Sequence, residues 1–140
     1  DGLGGAAAIQ RALEDANMRP EDIDYYNAHG TSTKLNDAAE TRMLKIAFGE
    51  HSKKLKVSST KSMTGHCIGA AGAVEAIVSI KGMLDNFYPP TLNLENPDFE
   101  QGCDLNYLPK PLEANMDSFV SMSLGFGGHN GALIMKKFKD

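Results

Sequence analysis

An α/β domain, with a mixed sheet covered by helices, is what this sequence predicts. Three observations predict it. Apolar residues recur at helical spacing in three separate stretches, short strand-like runs stand between those stretches, and two further strand patterns follow one another near the end of the chain.

Ile9, Ala12, Leu13 and Ala16 share one face of the first helix, which Asn17 to Pro20 brings to an end. Ile23–Asn27 then extends as a strand. Its last residues, Tyr25–Tyr26–Asn27, read as buried, and Ala28–His29–Gly30–Thr31–Ser32–Thr33 is the loop that leaves it. The second helix follows, with Asp37 as its cap and Glu40 three residues on, a stripe of Ala39, Met43, Ile46 and Ala47, and Gly49 at its close. Leu55–Val57 makes the next short strand.

The third helix runs roughly from Ile68 to Leu84, with Ala73, Ile77, Ile80 and Leu84 on one stripe and Ala70, Val74 and Val78 beside it. A helix apolar around most of its circumference is expected to be buried. Small residues from Gly69 to Ala73 let its first turns approach other backbone closely. Past Pro89–Pro90 the helical pattern stops. Phe119–Leu124 and Ala132–Phe138 read as strands of an antiparallel hairpin joined by Gly125–Gly131, with a short further strand near Leu105–Tyr107. The predicted order is α-β-α-β-α-β-β. No internal repeat or low-complexity tract interrupts it.

The chain has 140 residues, enough for one domain, and its net charge of −4 argues against nucleic acid or an anionic membrane as the main partner. Its most apolar stretch, Cys67 to Ile80, is interrupted by Glu75 and falls short of the ~20 residues a membrane span needs. A soluble, cytoplasmic protein is expected. Cys67 and Cys103 lack paired metal-site spacing and suit reduced thiols, while Lys136, Lys137 and Lys139 read as a solvated basic tail.

The chemistry concentrates in Ser59–Thr60–Lys61–Ser62–Met63–Thr64–Gly65–His66, which sets a lysine and a histidine on a glycine-containing turn that enters an apolar helix. His29 lies on a second such loop. Loops at strand ends are where a rigid sheet positions accessible side chains, so His29 and His66 are candidates for activating a carbonyl or carboxylate, whereas His51 and His129 read as structural. Glu75 sits inside the apolar helix and needs a cation. Lys61 is its natural partner. The glycines from Gly125 to Gly131 precede a strand, not a helix, so they form no dinucleotide fingerprint; Lys61–Ser62 lacks the glycines of a P-loop, and no transition-metal spacing is present.

Three segments, Asn27–Ala28–His29–Gly30–Thr31–Ser32–Thr33, Ser58 to His66, and Gly125–Phe126–Gly127–Gly128–His129–Asn130, together resemble the elongating β-ketoacyl-acyl-carrier-protein synthases of type II fatty acid synthesis. The resemblance covers nearly the whole chain, in order. That family is roughly twice as long with two similar halves, so the resemblance, with a start at Asp1 lacking methionine, implies the C-terminal half of a layered thiolase-like fold. Leu124 stands where the family often has phenylalanine, a departure at the acyl gate.

The implied reaction is a decarboxylating Claisen condensation, in which malonyl-carrier loses carbon dioxide and the resulting carbanion attacks an acylated cysteine. His29 and His66 match the family histidines that donate to the developing oxyanion. Lys61 matches the lysine that orders the second histidine, with Glu75 and Asp37 in its supporting network. Thr31 and Thr33 match hydroxyls that bond the pantetheine arm; the plainer reading is a loop-stabilising turn. Phe126 matches the gate, and its N–H the acyl oxyanion donor. Neither Cys67 nor Cys103 has the family's nucleophile elbow, so the acyl acceptor is expected in the N-terminal half.

The implied partners are an acyl carrier protein bearing malonyl and acyl groups, the N-terminal half, and a second copy in a homodimer when complete. No cofactor is implied, although the family at times holds a structural monovalent cation near the positions of Asn27, Glu75 and Asn130. A polyketide ketosynthase domain is one alternative and a non-catalytic partner subunit another. Ser32 and Met63–Thr64 favour fatty acid synthesis over the first.

Overall fold

The computed structural model describes residues 2–138. Helix α1, Leu3–Ala16, buries Gly5, Ala6, Ile9 and Leu13, then stops where Asn17 turns left-handed at φ 51°. Strand β1, Tyr25–Asn27, and strand β2, Lys56–Ser58, flank helix α2, Lys34–Phe48. A single helical turn, α3, Lys61–Thr64, leads to α4, Ala71–Asp85, and the chain ends in the hairpin β5, Ser118–Leu124, and β6, Asn130–Lys136. A two-stranded ribbon of β3, Phe87–Tyr88, and β4, Leu112–Glu113, stands apart.

The main sheet has the order β2-β1-β5-β6, with β1 parallel to both β2 and β5 and β6 antiparallel to β5. Because successive side chains of a strand point to opposite faces, Tyr25 and Tyr26 enter different cores. Tyr26 joins Ile9, Leu13, Met43, Leu44, Phe48 and Val120 under α1 and α2. Tyr25 joins Met83, Tyr88, Met116 and Phe119 under α4. The expected mixed sheet covered by helices is therefore observed, and both β1 and β2 end on the same rim.

Several elements differ from expectation. The cap of α2 is Thr33, whose hydroxyl accepts the Asn36 N–H at 3.3 Å; Asp37 lies one turn inside the helix and caps nothing. The buried face of α2 carries Ala38, Glu40, Met43, Leu44 and Ala47, and Ile46 points outward.

Helix α4 begins at Ala71, after a 3-10 turn at Ile68–Ala70, and buries one face only. That face is its small and polar one, Ala71, Glu75, Ala76, Ser79, Gly82 and Met83, while Ile77 and Leu84 are 60% and 62% exposed. Glu75 and Ser79 have partners in the domain, so they turn inward; of the expected stripe, Ile80 packs half-buried against the core around Tyr25, and Ile77 and Leu84 are left outside. A Cβ on Gly82 would lie 2.5 Å from the Phe87 carbonyl oxygen, so only glycine lets α4 pass that backbone.

The hairpin forms as predicted, but β6 starts two residues earlier than expected and stops at Lys136. Near Leu105–Tyr107 the structure has one parallel bridge, Val57 to Tyr107. Lys137 is no free tail residue, because its Nζ donates to Asn86 Oδ1 at 2.7 Å. Lys139 lies outside the described residues. Among the described residues no helix is long and apolar enough to cross a membrane.

Candidate active site

The parallel strands β1 and β2 deliver two turns to one rim, and each turn carries one of the predicted histidines. The imidazoles of His29 and His66 meet edge to face, with ring centres 5.4 Å apart and planes at 85°. His66 Nδ1 accepts the Ile68 N–H at 3.1 Å, which leaves Nε2–H as the donor of the neutral ring. His29 is buried, and burial first, then the Lys61 cation and His66, lowers its pKa from 6.5 to about 4. It is neutral at physiological pH.

Lys61 and Glu75 form the predicted ion pair, and both side chains are buried. Below them Asn27 Nδ2 donates to Ser79 Oγ at 3.0 Å and to the Glu75 carbonyl at 3.3 Å, while Thr60 Oγ1 donates to Asn27 Oδ1 at 3.3 Å. This polar core lies between the ends of β1 and β2 and the middle of α4. Asp37 stands apart from it. Its Oδ1 accepts the Asn36 amide at 3.0 Å on the wall of the adjoining cleft.

That cleft, about 890 Å³, is bounded on one side by Thr31, Thr33 and Asp37 and on the other by the segment 91–98, with Lys61 and His66 on its lining. The hydroxyls of Thr31 and Thr33 are 3.3 Å apart, and both face it. Phe126 does not. It is fully exposed on the turn between β5 and β6, next to Gly127 and Gly128 at φ 76° and 82°. Cys67 is exposed beside His66, and Cys103 is buried where the Thr41 hydroxyl approaches its sulfur at 3.6 Å. His51, read as structural, bonds the Ile23 carbonyl at 2.9 Å.

The residue that sequence reasoning missed is Glu40. Its Oε1 accepts the His29 N–H at 2.8 Å and the Tyr26 hydroxyl at 3.0 Å, and its Oε2 accepts the Gly30 N–H at 2.8 Å. Burial raises its pKa, against the pull of those four donors with Asn36 included. A signal was present: Glu40 shares its helical face with Met43, Leu44 and Ala47, which marks it as an inward carboxylate in need of donors.

Among the described residues no cluster of three or more His, Cys, Asp or Glu could hold a metal ion. Glu75 Oε2, however, is buried with no hydrogen-bond partner among them. An orphaned anionic oxygen fits a monovalent cation, but Asn27 bonds the Glu75 backbone carbonyl and not this oxygen, and Asn130 is exposed with its amide on the Gly128 carbonyl. Chemically, the two imidazole donors, one of them held neutral, can stabilise negative charge growing on one substrate oxygen.

Residues 1–95 match the family described as beta-ketoacyl synthase, C-terminal domain. A 3-oxoacyl-[acyl-carrier-protein] synthase 2 of Coxiella burnetii is 50% identical over 98% of this chain, which spans 33% of that protein. The corresponding synthase of Synechocystis is 49% identical over 99% of the chain and 33% of its own length. The chain thus spans about a third of the length of these relatives, less than the half expected from sequence.

Among solved structures, a beta-ketoacyl synthase from Burkholderia phymatum superposes with a TM-score of 0.89 at 39% identity, over 96% of this chain and 32% of that one. A ketosynthase in complex with its type II polyketide acyl-carrier protein and bound to a hexaketide superposes at 0.93 with 33% identity, over 99% and 34%. The layered thiolase-like fold of these neighbours contains the present domain.

Proposed function

The chain belongs to the β-ketoacyl synthase family, whose C-terminal domain it carries, and from that premise we propose that it supplies the decarboxylation site of a 3-oxoacyl-acyl-carrier-protein synthase in fatty acid elongation. The observation that carries this reading is the His29–His66 pair, edge to face at 5.4 Å with His29 neutral. When malonyl-carrier loses carbon dioxide, the electrons of the broken C–C bond pass into the thioester and charge its oxygen. His29 and His66 donate N–H groups to that oxygen. The carbon end of the enolate then attacks the acyl group held on a cysteine that this chain does not contribute, and the cysteine leaves as thiolate.

Lys61, held in its ion pair with Glu75, places its ammonium charge beside His29 and orders the His66 turn. A monovalent cation at Glu75 Oε2 would complete that carboxylate's partners. Thr31 and Thr33 bond the pantetheine arm in the cleft, and Phe126 swings from its exposed turn to gate the acyl pocket, with its N–H on the acyl oxyanion. Asp37 acts from the cleft wall, not through the lysine. The partner is an acyl carrier protein, as in one structural neighbour, and the complete synthase works as a cytoplasmic homodimer.

The test uses the complete synthase. His29→Ala or His66→Ala is expected to lower malonyl-carrier decarboxylation by ~10²–10³ while acyl transfer to the cysteine continues. Decarboxylation at the wild-type rate in either variant overturns the reading. A polyketide ketosynthase is the second reading, favoured by a TM-score of 0.93 to such an enzyme, although the fatty acid synthases are nearer in sequence at 49–50% against 33%. Elongation of saturated acyl-carriers, measured against unreduced β-ketoacyl chains, separates the two.

A further inference from the structure

Beyond the strand ends, the turn that carries His29 and the turn that carries Lys61 and His66 are tied by Ser59. Its Oγ donates to the Gly30 carbonyl at 2.8 Å. Gly30 is therefore held from both sides, since its N–H goes to Glu40 at 2.8 Å. The two residues are also in direct contact. Gly30 has φ +40°, and a Cβ built on it would fall 2.5 Å from Ser59 Cβ, so glycine here serves both the left-handed backbone and the approach of the serine.

Every polar group of Ser59 is engaged. Its N–H donates to Thr91 Oγ1 at 2.9 Å, and its carbonyl accepts the Ser62 hydroxyl at 2.9 Å and the Ser62 N–H at 3.3 Å. Ser62 Oγ accepts the Leu92 N–H at 2.9 Å in turn. Through one buried residue, the His29 turn, the Lys61 helix and the segment 91–92 of the cleft wall share a single rigid joint. Deeper down, Asn27 and Thr60 link the strand ends; they secure the sheet and do not reach the histidine turn.

We propose that Ser59 is a positioning residue for the reaction, its hydroxyl bond to the Gly30 carbonyl setting the spacing at which His29 and His66 face one substrate oxygen. Two donors converge on one atom only if their backbones cannot drift apart. Losing one such bond permits a displacement of the order that costs oriented reactions up to ~10²-fold in rate. Ser59 touches no reacting atom. It acts through Gly30 on His29 and through Ser62 on the Lys61 helix. The inference rests on the proposed decarboxylation role of the two histidines.

Ser59→Cys, which fills the same space with a poor donor, is compared with Ser59→Ala, with Ser59→Thr, which keeps the hydroxyl, and with His29→Ala, all in the complete synthase. Decarboxylation of malonyl-carrier and acylation of the cysteine are measured separately, and the imidazole resonances of His29 are titrated by NMR. Ser59→Cys and Ser59→Ala are expected to lower kcat for decarboxylation by about 10–10²-fold with KM and acylation unchanged, to shift the His29 titration, and to be rescued by Ser59→Thr. Wild-type decarboxylation in Ser59→Cys overturns the positioning role if His29→Ala is still inactive. If both variants keep full decarboxylation, the histidine reading fails instead. A parallel loss of both half-reactions also overturns it, because that marks general unfolding.

Discussion

At the residue scale the domain is distinguished by charges held away from water with their partners specified. Lys61 and Glu75 are both buried, so each depends on the other. Glu75→Ala leaves the ammonium uncompensated and is expected to cost ~3–5 kcal/mol, read as a fall in the denaturant midpoint. Lys61→Met added to it should recover part of that loss, and an unchanged midpoint in the single variant would show Glu75 to be solvated.

His29 makes a second prediction, with the sign set by its lowered pKa of about 4. The unfolded chain takes up the proton near 6.5, whereas the folded chain refuses it until about 4. Stability contributed by neutral His29 is thus complete above pH 6.5 and is lost as pH falls from 6.5 towards 4. Glu40, whose pKa is raised, works in the opposite sense, so the quantity to measure is the difference in Tm between the wild type and His29→Gln across that window. A difference that does not change with pH would mean that His29 is open to water.

At the scale of elements, the short strands β1 and β2 matter for where they stop. Three residues each are enough to fix a parallel register, Tyr25 beside Lys56 and Asn27 beside Ser58, and both chains then leave the sheet together. Helix α4 is the element that closes this rim from behind, and it packs by leaving side chains out. Gly82→Ala would press a methyl against the Phe87 carbonyl, which cannot move without the β3–β4 ribbon. Overpacking of this kind typically costs ~1–3 kcal/mol. The expected outcome is a lower Tm with faster hydrogen exchange at Phe87 and Tyr88, and unaltered exchange there would mean that the helix shifts freely.

For the whole molecule, the outstanding feature is the bulky stripe of α4, with Ile77 and Leu84 open to solvent on a chain that spans about a third of its relatives. The two cysteines bear on activity at this scale. Cys103 is buried, and Cys67 stands on the turn before α4, next to His66 and not in a strand-to-helix elbow. The purified chain is therefore expected to form no β-ketoacyl product from acyl- and malonyl-carriers, assayed by mass spectrometry of the carrier. Product from the chain alone would require one of these two thiols to accept the acyl group.

The alternation of helices and strands, the two histidine turns, the closing hairpin and the need of Glu75 for Lys61 were all legible in the sequence, because each follows from local periodicity or from the cost of a single buried charge. Periodicity alone did not say which face of α4 turns inward. It marked Ile77 and Leu84 as core, and the choice went to Glu75, paired with Lys61 of the preceding turn, and to Ser79, whose partner Asn27 arrives from β1, far away in sequence. Thr33 displaced Asp37 as cap once the loop geometry brought its hydroxyl to the Asn36 N–H. Ser59 acquired its role only when two parallel strands ended side by side, since the group its hydroxyl binds, the Gly30 carbonyl, is a backbone atom that carries no signature in the amino-acid code, whereas the inward face of α2 already marked Glu40 as needing donors without naming the His29 and Gly30 N–H groups.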